Sequence, residues 1–434
     1  MTDTGTPPNH FTQAVTELGE KSPVVTSQTI FNDRGVKILD KGIAVNAKLY
    51  ERLMAHKLPV PLEDSVTSEQ LVTGSFLRTQ AEQAMHGVPF FARLGVDTKI
   101  RNLLLDALEQ LPLPDPIAFQ LLLACKVRPA LFLHSIHAAL FAAWLMQAQS
   151  PTVSRFDVSM AAAAGLLHDI GMLHLDPVLL NPQNTIGRDQ RQQLYLHPLV
   201  ATTLIERHHA YSREVIRAVR EHHEFLDGSG YPSHLSGKAI SPLGRILSLS
   251  ELVTTMLATG SPAAELRLGV QLRMNPHRYD ATLVAQVVHN LKSLPLTLQT
   301  EGHPDADQPV MADPVRQLLA INAALSAWPV ALAHCQTLSL PRREGMVAVQ
   351  EQAIQLRHTL ANAGVAPQQL VQLGGDSQDD FLQLELTLLA QEATWQLRTL
   401  ARQTRRRWNL SPDTHYPNAL KTWLDHADAL ETKL

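Results

Sequence analysis

Apolar residues recur at helical spacing along most of the chain. From Ser68 onward the period is that of an amphipathic helix, through Leu103-Leu104-Leu105, Leu108 and Leu111, and it persists over most of the remaining chain. The region before it reads differently. Short β-prone runs at Val24 to Ile30 and Val36 to Leu39 flank the turn-forming Asn32-Asp33-Arg34-Gly35, and an amphipathic stretch follows at Ala47 to His56. A second break falls at Thr300 to Pro314, where Pro, Gly and acidic residues crowd together. Beyond it, helices are predicted at Met346 to Ala363 and Asp380 to Trp408, separated by Leu373-Gly374-Gly375-Asp376.

The pattern predicts a mainly α protein. A small α+β module occupies residues 1–66, a helical connector 67–114, a central helical domain 115–299, a linker 300–314 and a C-terminal helical region 315–434. Pro129 to Ser154 has no Asp, Glu, Lys or Arg, yet His134, His137, Gln147 and Gln149 interrupt it. That predicts a buried helix and no membrane span, because polar groups at bilayer depth are costly.

Composition narrows the classes. The net charge of -4 offers no basic surplus for binding DNA, and the two cysteines, Cys125 and Cys335, build no disulfide framework. With a polar start at Met1 to Asn9 that lacks the marks of a signal peptide, the expectation is a cytoplasmic protein. The cluster Arg402, Arg405, Arg406 and Arg407 beside Trp408 reads as a solvated helix end.

Candidate chemistry lies in the 20 histidines. A small-residue run, Ala161-Ala162-Ala163-Ala164-Gly165, leads through Leu166-Leu167 to His168-Asp169 just before Gly171. A buried Asp directly after a His is expensive unless it is paired or binds a metal. His134, His197 before Pro198, and the pair His222-His223 supply further imidazoles that could surround two cations. His208-His209 is assigned to a solvated helix end, and His137, His174 and His234 are left outside the site.

Taken in order, these motifs resemble the HD-GYP family of bacterial signalling phosphodiesterases, a branch of the HD phosphohydrolases. The likeness rests on His134-Ser135, His168-Asp169-Ile170-Gly171, His197-Pro198, His222-His223-Glu224, Asp227-Gly228-Ser229-Gly230-Tyr231-Pro232 and Gly244-Arg245-Ile246-Leu247. It covers roughly Asp115 to Pro295. The resemblance implies an HD-type helical core that holds two divalent ions, iron or manganese first and zinc as an alternative. It implies cyclic di-GMP, or a related nucleotide, as substrate, with a signalling protein as a further partner. His134, His168, Asp169, His197, His222, His223 and Glu251 would be the metal ligands, with Asp169 bridging and with Asp169 and His168 the catalytic pair. Gly230, Tyr231 and Pro232 would line the substrate. Two cations flanking a water lower its pKa and neutralise the phosphodiester, so no protein nucleophile is required.

Some positions depart from that family's pattern. Met172 stands where a lysine is usual, Phe225 where a basic residue is usual, Glu251 where an aspartate is usual, and Ala130 where some members carry a glutamate that binds a third ion. These substitutions leave two alternatives open: a catalytically degenerate module that binds nucleotide or partner protein, and a phosphohydrolase with another phosphoester substrate.

Overall fold

A computed structural model describes residues 10–46, 58–180, 187–258, 263–291, 313–333, 340–373, 380–408 and 418–430, with isolated positions between them. Most of the amphipathic stretch Ala47 to His56, residues 300–312 of the expected linker, and Gly374-Gly375-Asp376 lie outside the described residues. The protein is mainly helical and divides into two compact units. One comprises Met1–Gly260 with His277–Val287, the other Ser261–Pro276 with Val288–Leu434.

The first unit opens with α1 (His10–Lys21), which lies ahead of the first predicted element. It buries Phe11, Ala14, Val15 and Leu18, an i, i+3, i+4, i+7 stripe. Two small antiparallel ladders follow. β1 (Val24–Thr26) pairs with β4 (Val66–Ser68), and β2 (Ile30–Phe31) pairs with β3 (Lys37–Leu39) around a turn that Gly35 permits with φ of 74°. Short helices α2 (Gly74–Gly87), α3 (Pro89–Leu94) and α4 (Thr98–Glu109) lead to α5 (Asp115–Val127).

The core of this unit is the pair α6 (Pro129–Gln147) and α7 (Arg155–Leu167). α6 is apolar on nearly every side, the signature of a helix buried all round. The stretches Pro129–Gln147 and Arg155–His174 are long and apolar enough to cross a membrane, but 67% and 72% of their apolar windows are buried inside the protein. Packing therefore accounts for their composition. α7 begins at a Ser154/Asp157 capping box, and its alanine run lets it approach α6 closely.

A 3-10 turn (Ile170–His174), α8 (Arg188–Leu194), α9 (His197–Glu206), α10 (Arg213–Glu221) and α11 (Pro242–Leu257) complete the framework around the histidines. Ser212 and Ser241 cap the first turns of α10 and α11. Gly171 admits no side chain: a Cβ there would lie 2.4 Å from the carbonyl oxygen of His197, so the 3-10 turn and α9 meet backbone to backbone.

The second unit gathers α12 (Ala264–Met274) with α14 (Pro314–Ala333), α15 (Leu340–Asn362), α16 (Pro367–Leu373), α17 (Asp380–Trp408) and α18 (Asn418–Ala429). α13 (Ala281–Asn290) runs across the boundary. Trp328 and Trp423 meet edge to face at its centre, and the Trp423 indole donates to the Ala324 carbonyl at 2.8 Å. Within the arginine cluster, Arg405 engages Asp428 of α18.

Candidate metal centre

Three of the site's imidazoles are aimed by the ends of helices. The last carbonyls of an α-helix have no partner within the helix and accept whatever donor lies beyond it. The Nδ1–H of His168 donates to Gly165 O at 2.8 Å, that of His197 to Leu194 O at 2.7 Å, and that of His222 to Val219 O at 2.6 Å. A carbonyl only accepts, so in each ring Nδ1 carries the hydrogen. In the neutral ring Nε2 is then left with its lone pair, directed inward.

The inward atoms form two quartets that share one carboxylate. Asp169, His197, His222 and His223 offer donor atoms within 4.8 Å of one another, and so do His134, His168, Asp169 and Glu251. Nε2 of His197 faces Nε2 of His222 at 3.0 Å, and Nε2 of His134 faces Nε2 of His168 at 3.2 Å. Ligands held about 2.1 Å from a tetrahedral ion are roughly 3 to 3.5 Å apart. Asp169 Oδ1 is buried and accepts no hydrogen bond, although His197 Nε2 is 3.2 Å away and His222 Nε2 3.7 Å away. Lone pairs that converge on one point while a carboxylate oxygen goes without a donor repel each other until a cation lies among them. The donor set therefore fits divalent metal ions.

The two quartets differ in charge. Burial opposes the charged form of His168, yet the Asp169 and Glu251 carboxylates outweigh it and raise its pKa well above the ordinary value. Burial likewise opposes the charged form of His134, and Glu251, 2.8 Å from its Nε2, again turns the balance upward. In the other quartet burial dominates. It lowers His222 well below the usual histidine range, with neighbouring His223 reinforcing it, and brings His223 down to about 4. Burial raises the carboxyl pKa values of Asp169 and Glu251, but the imidazoles beside them hold both well below the carboxylate norm.

The loop Asp227 to Leu235 is clamped onto the histidines. Glu224, buried, accepts from the backbone N–H of Ser233 at 2.6 Å and of Leu235 at 2.9 Å, while the Tyr231 N–H donates to His223 O at 3.1 Å. Gly230 is buried against the same segment: a Cβ there would lie 2.4 Å from His223 O. The Tyr231 ring stacks on His223 with centroids 4.5 Å apart, and Tyr195 stacks on Tyr231 at 4.1 Å. Pro232 follows through a cis peptide bond.

All seven residues expected as ligands thus meet in one cleft, although Glu251 comes from α11 and His134 from α6. Of the expected substrate residues, Tyr231 lies on the ring of His223, while Gly230 packs behind that ring on the backbone side. Met172 sits in the 3-10 turn after Asp169. Phe225 packs on Tyr279, and the Arg278 guanidinium lies over its ring at 5.2 Å. His137 is buried against Phe91 and Ala84, away from both quartets.

One histidine differs from expectation. His208 is not at a solvated helix end: its side chain is largely buried, with Nε2 3.6 Å from Asp64 Oδ1, because the chain folds residue 64 against the end of α9. His209 is exposed and turns the chain there with φ of 51°. Three kinds of contributor were not predicted from the sequence. They are the carbonyls of Gly165, Leu194 and Val219, the Thr255 hydroxyl that donates to Glu251 Oε1 at 3.0 Å, and the ring of Tyr195. Only Thr255, one helical turn after Glu251, sat at a spacing that could have suggested its contact.

Comparison with known proteins bears on the central helices. Residues 99–283 match the family described as HD domain. The chain is 29% identical over 182 residues to "Cyclic di-GMP phosphodiesterase PA4108" of Pseudomonas aeruginosa, covering 41% of this chain and 43% of that protein. It is 28% identical over 141 residues to "3'3'-cGAMP-specific phosphodiesterase 1" of Vibrio cholerae, covering 29% and 30%. It is 32% identical over 109 residues to "Cyclic di-GMP phosphodiesterase response regulator RpfG" of Xanthomonas campestris pv. campestris, covering 24% and 28%. The chain thus spans less than half the length of these curated relatives. Among solved structures, "Bd1817, a HDG"Y"P protein from Bdellovibrio bacteriovorus" is similar with a TM-score of 0.33 and 14% identity, over 61% of this chain and 92% of that one.

Proposed function

We propose that residues 99–283, which match the HD domain family, form a domain of the HD-GYP type and that the chain is a metal-dependent phosphodiesterase that hydrolyses cyclic di-GMP, to the linear dinucleotide or GMP, in second-messenger signalling. One observation carries the reading: two donor quartets share the single carboxylate of Asp169. That is the layout of a two-metal hydrolytic site. His134, His168 and Glu251 with Asp169 would hold one ion, and His197, His222 and His223 with Asp169 the other. Iron or manganese suits the mixed imidazole and carboxylate donors, and zinc is the alternative. Ala130 leaves no carboxylate one turn before His134, which favours two ions over three.

Bound there, divalent cations supply Lewis-acid charge to a phosphodiester and lower the pKa of an attacking water. The protein's part is positioning. Asp169 ties the two sites to one carboxylate, the three helix-end carbonyls keep the imidazoles turned inward, and Thr255 holds the far oxygen of Glu251. Tyr231 covers one face of His223 and keeps water off that ligand. Met172 brings a thioether where the family's lysine would meet the phosphate. Loss of one well-placed charged donor costs ~3 kcal/mol, about two orders of magnitude in rate.

Met172 also favours a second reading, a module that keeps its metals and binds a cyclic dinucleotide or a signalling protein without turning the nucleotide over. Protein loaded anaerobically with iron or manganese separates the two. The phosphodiesterase reading expects about two ions per chain and metal-dependent formation of linear dinucleotide or GMP. Full occupancy with tight binding of cyclic di-GMP and no product would transfer the conclusion to the binding module.

A further inference from the structure

We propose that Tyr195 is a specificity-determining residue of this site, a platform on which a purine base of the substrate stacks. The inference rests on the phosphodiesterase reading above and deepens it.

Tyr195 closes α8 and stands two residues before the ligand candidate His197. Its ring lies on Tyr231 at 4.1 Å with the planes inclined by 21°, and Tyr231 lies on His223 at 4.5 Å and 23°. The three rings form one stack that begins at a candidate metal ligand and ends in solvent. Its inner rings, His223 and Tyr231, are half-buried. Its outer ring, Tyr195, is 40% exposed.

An aromatic ring that leaves this much surface in water beside a polar cleft gives up burial that a core tyrosine would keep. Its immediate neighbour Leu196 is 49% exposed. Exposed apolar surface on Tyr195 and Leu196 thus forms a rim beside a floor of imidazole and carboxylate. A dinucleotide presents the matching division, with phosphates for the floor and flat bases for the rim. Stacking of a base on an aromatic ring strengthens binding about tenfold or more and needs an accessible ring face.

The test uses the full metal-loaded chain and three variants: Tyr195→Ala, Tyr195→Phe and Tyr195→Trp. Tyr195→Ala is expected to raise KM for cyclic di-GMP about tenfold, with kcat and metal content within twofold of wild type, while Phe and Trp keep the wild-type KM. Competing ligands show whether the base is what the ring meets. Inhibition by GMP should weaken in Tyr195→Ala by a similar factor, and inhibition by inorganic phosphate should not change. A ring that merely props Tyr231 would instead lower metal content or kcat and weaken both inhibitors together, which overturns the proposal. An unchanged KM in Tyr195→Ala, with wild type active, also overturns it and leaves the phosphodiesterase reading standing. A fully metallated wild type that neither cleaves nor binds cyclic di-GMP overturns that reading itself, and the platform with it.

Discussion

Two clusters of histidine and carboxylate lie within the first unit, and they behave in opposite ways. In the metal centre the rings of His168, His197 and His222 are pinned at Nδ1 by helix-end carbonyls, so their Nε2 atoms converge. In the other cluster His174, His208, Glu63, Asp64 and Arg207 meet where the N-terminal module touches α9 and the 3-10 turn. There each ring is occupied separately. His174 stacks on Phe11 at 4.6 Å with its Nε2 buried and unbonded, and His208 lies 3.6 Å from Asp64, whose other oxygen takes Arg207 at 3.5 Å. Similar residue types therefore give converging donors in one place and an ion-paired seam in the other. What distinguishes the metal centre is that backbone carbonyls hold Nδ1 of three rings and turn their Nε2 atoms toward one another.

The largest break in that contrast comes from the shared carboxylate. Asp169→Ala removes a ligand from both quartets, and the expected result is loss of most bound metal and roughly a thousandfold fall in phosphodiester cleavage. Asp64→Ala, in the seam, is expected to keep both. Metal analysis by mass spectrometry checks the pair, and an Asp169→Ala protein that retains two ions would refute the bridging role.

Next in size is the seam's response to acid. Burial, with Arg207 nearby, depresses His174 to about 4 even though Glu63 pulls the other way. The unfolded chain binds that proton near pH 6.5, so the folded state holds fewer protons between these values. Stability is lost as pH falls through this window, by up to about 3 kcal/mol for the full shift. His174→Phe keeps a ring against Phe11 and cannot protonate. Urea unfolding of metal-free protein at pH 7 and pH 4.5 should show a smaller acid loss in the variant. Equal losses in both proteins would place the acid sensitivity elsewhere.

The smallest effect sharpens the difference inside the metal centre itself. Glu251 and Asp169 make His134 and His168 hold a proton to higher pH than an ordinary histidine, whereas burial makes His222 and His223 lose theirs at lower pH. Metal affinity should therefore weaken as pH falls, about tenfold per unit for each proton displaced, with proton release on binding. Glu251→Gln, which removes the charge that raises His134, should flatten that slope. Calorimetric titrations with manganese in buffers of different ionisation enthalpy count the protons directly.

Much of the site was legible because its chemistry is written in residue types. A buried Asp after a His, a His pair and a His before Pro narrow the alternatives to few. The contacts that orient those side chains were not legible, since they run to backbone carbonyls whose accessibility depends on where each helix stops. His208 shows the reverse failure. Its position at a helix end suggested solvent, but its partner Asp64 comes from a distant segment that only the fold brings near. In the fold, helical periodicity carried the main class, while α1 lay ahead of the first predicted element although Phe11, Ala14, Val15 and Leu18 are correctly spaced.

The path of the chain around α12 bears on how such a protein could have been assembled. The chain leaves the first compact unit at Ser261, contributes Val270 and Met274 to the core of the second, and returns at His277 before leaving again after Val287. A scission anywhere in 300–314 would strand those core side chains without the helices they pack among. Two bundles joined end to end would not interleave in this way. A shortened gene ending at the linker would encode an HD framework carrying a helix whose Val270 and Met274 have lost their partners, and solubility would be the first property to fail.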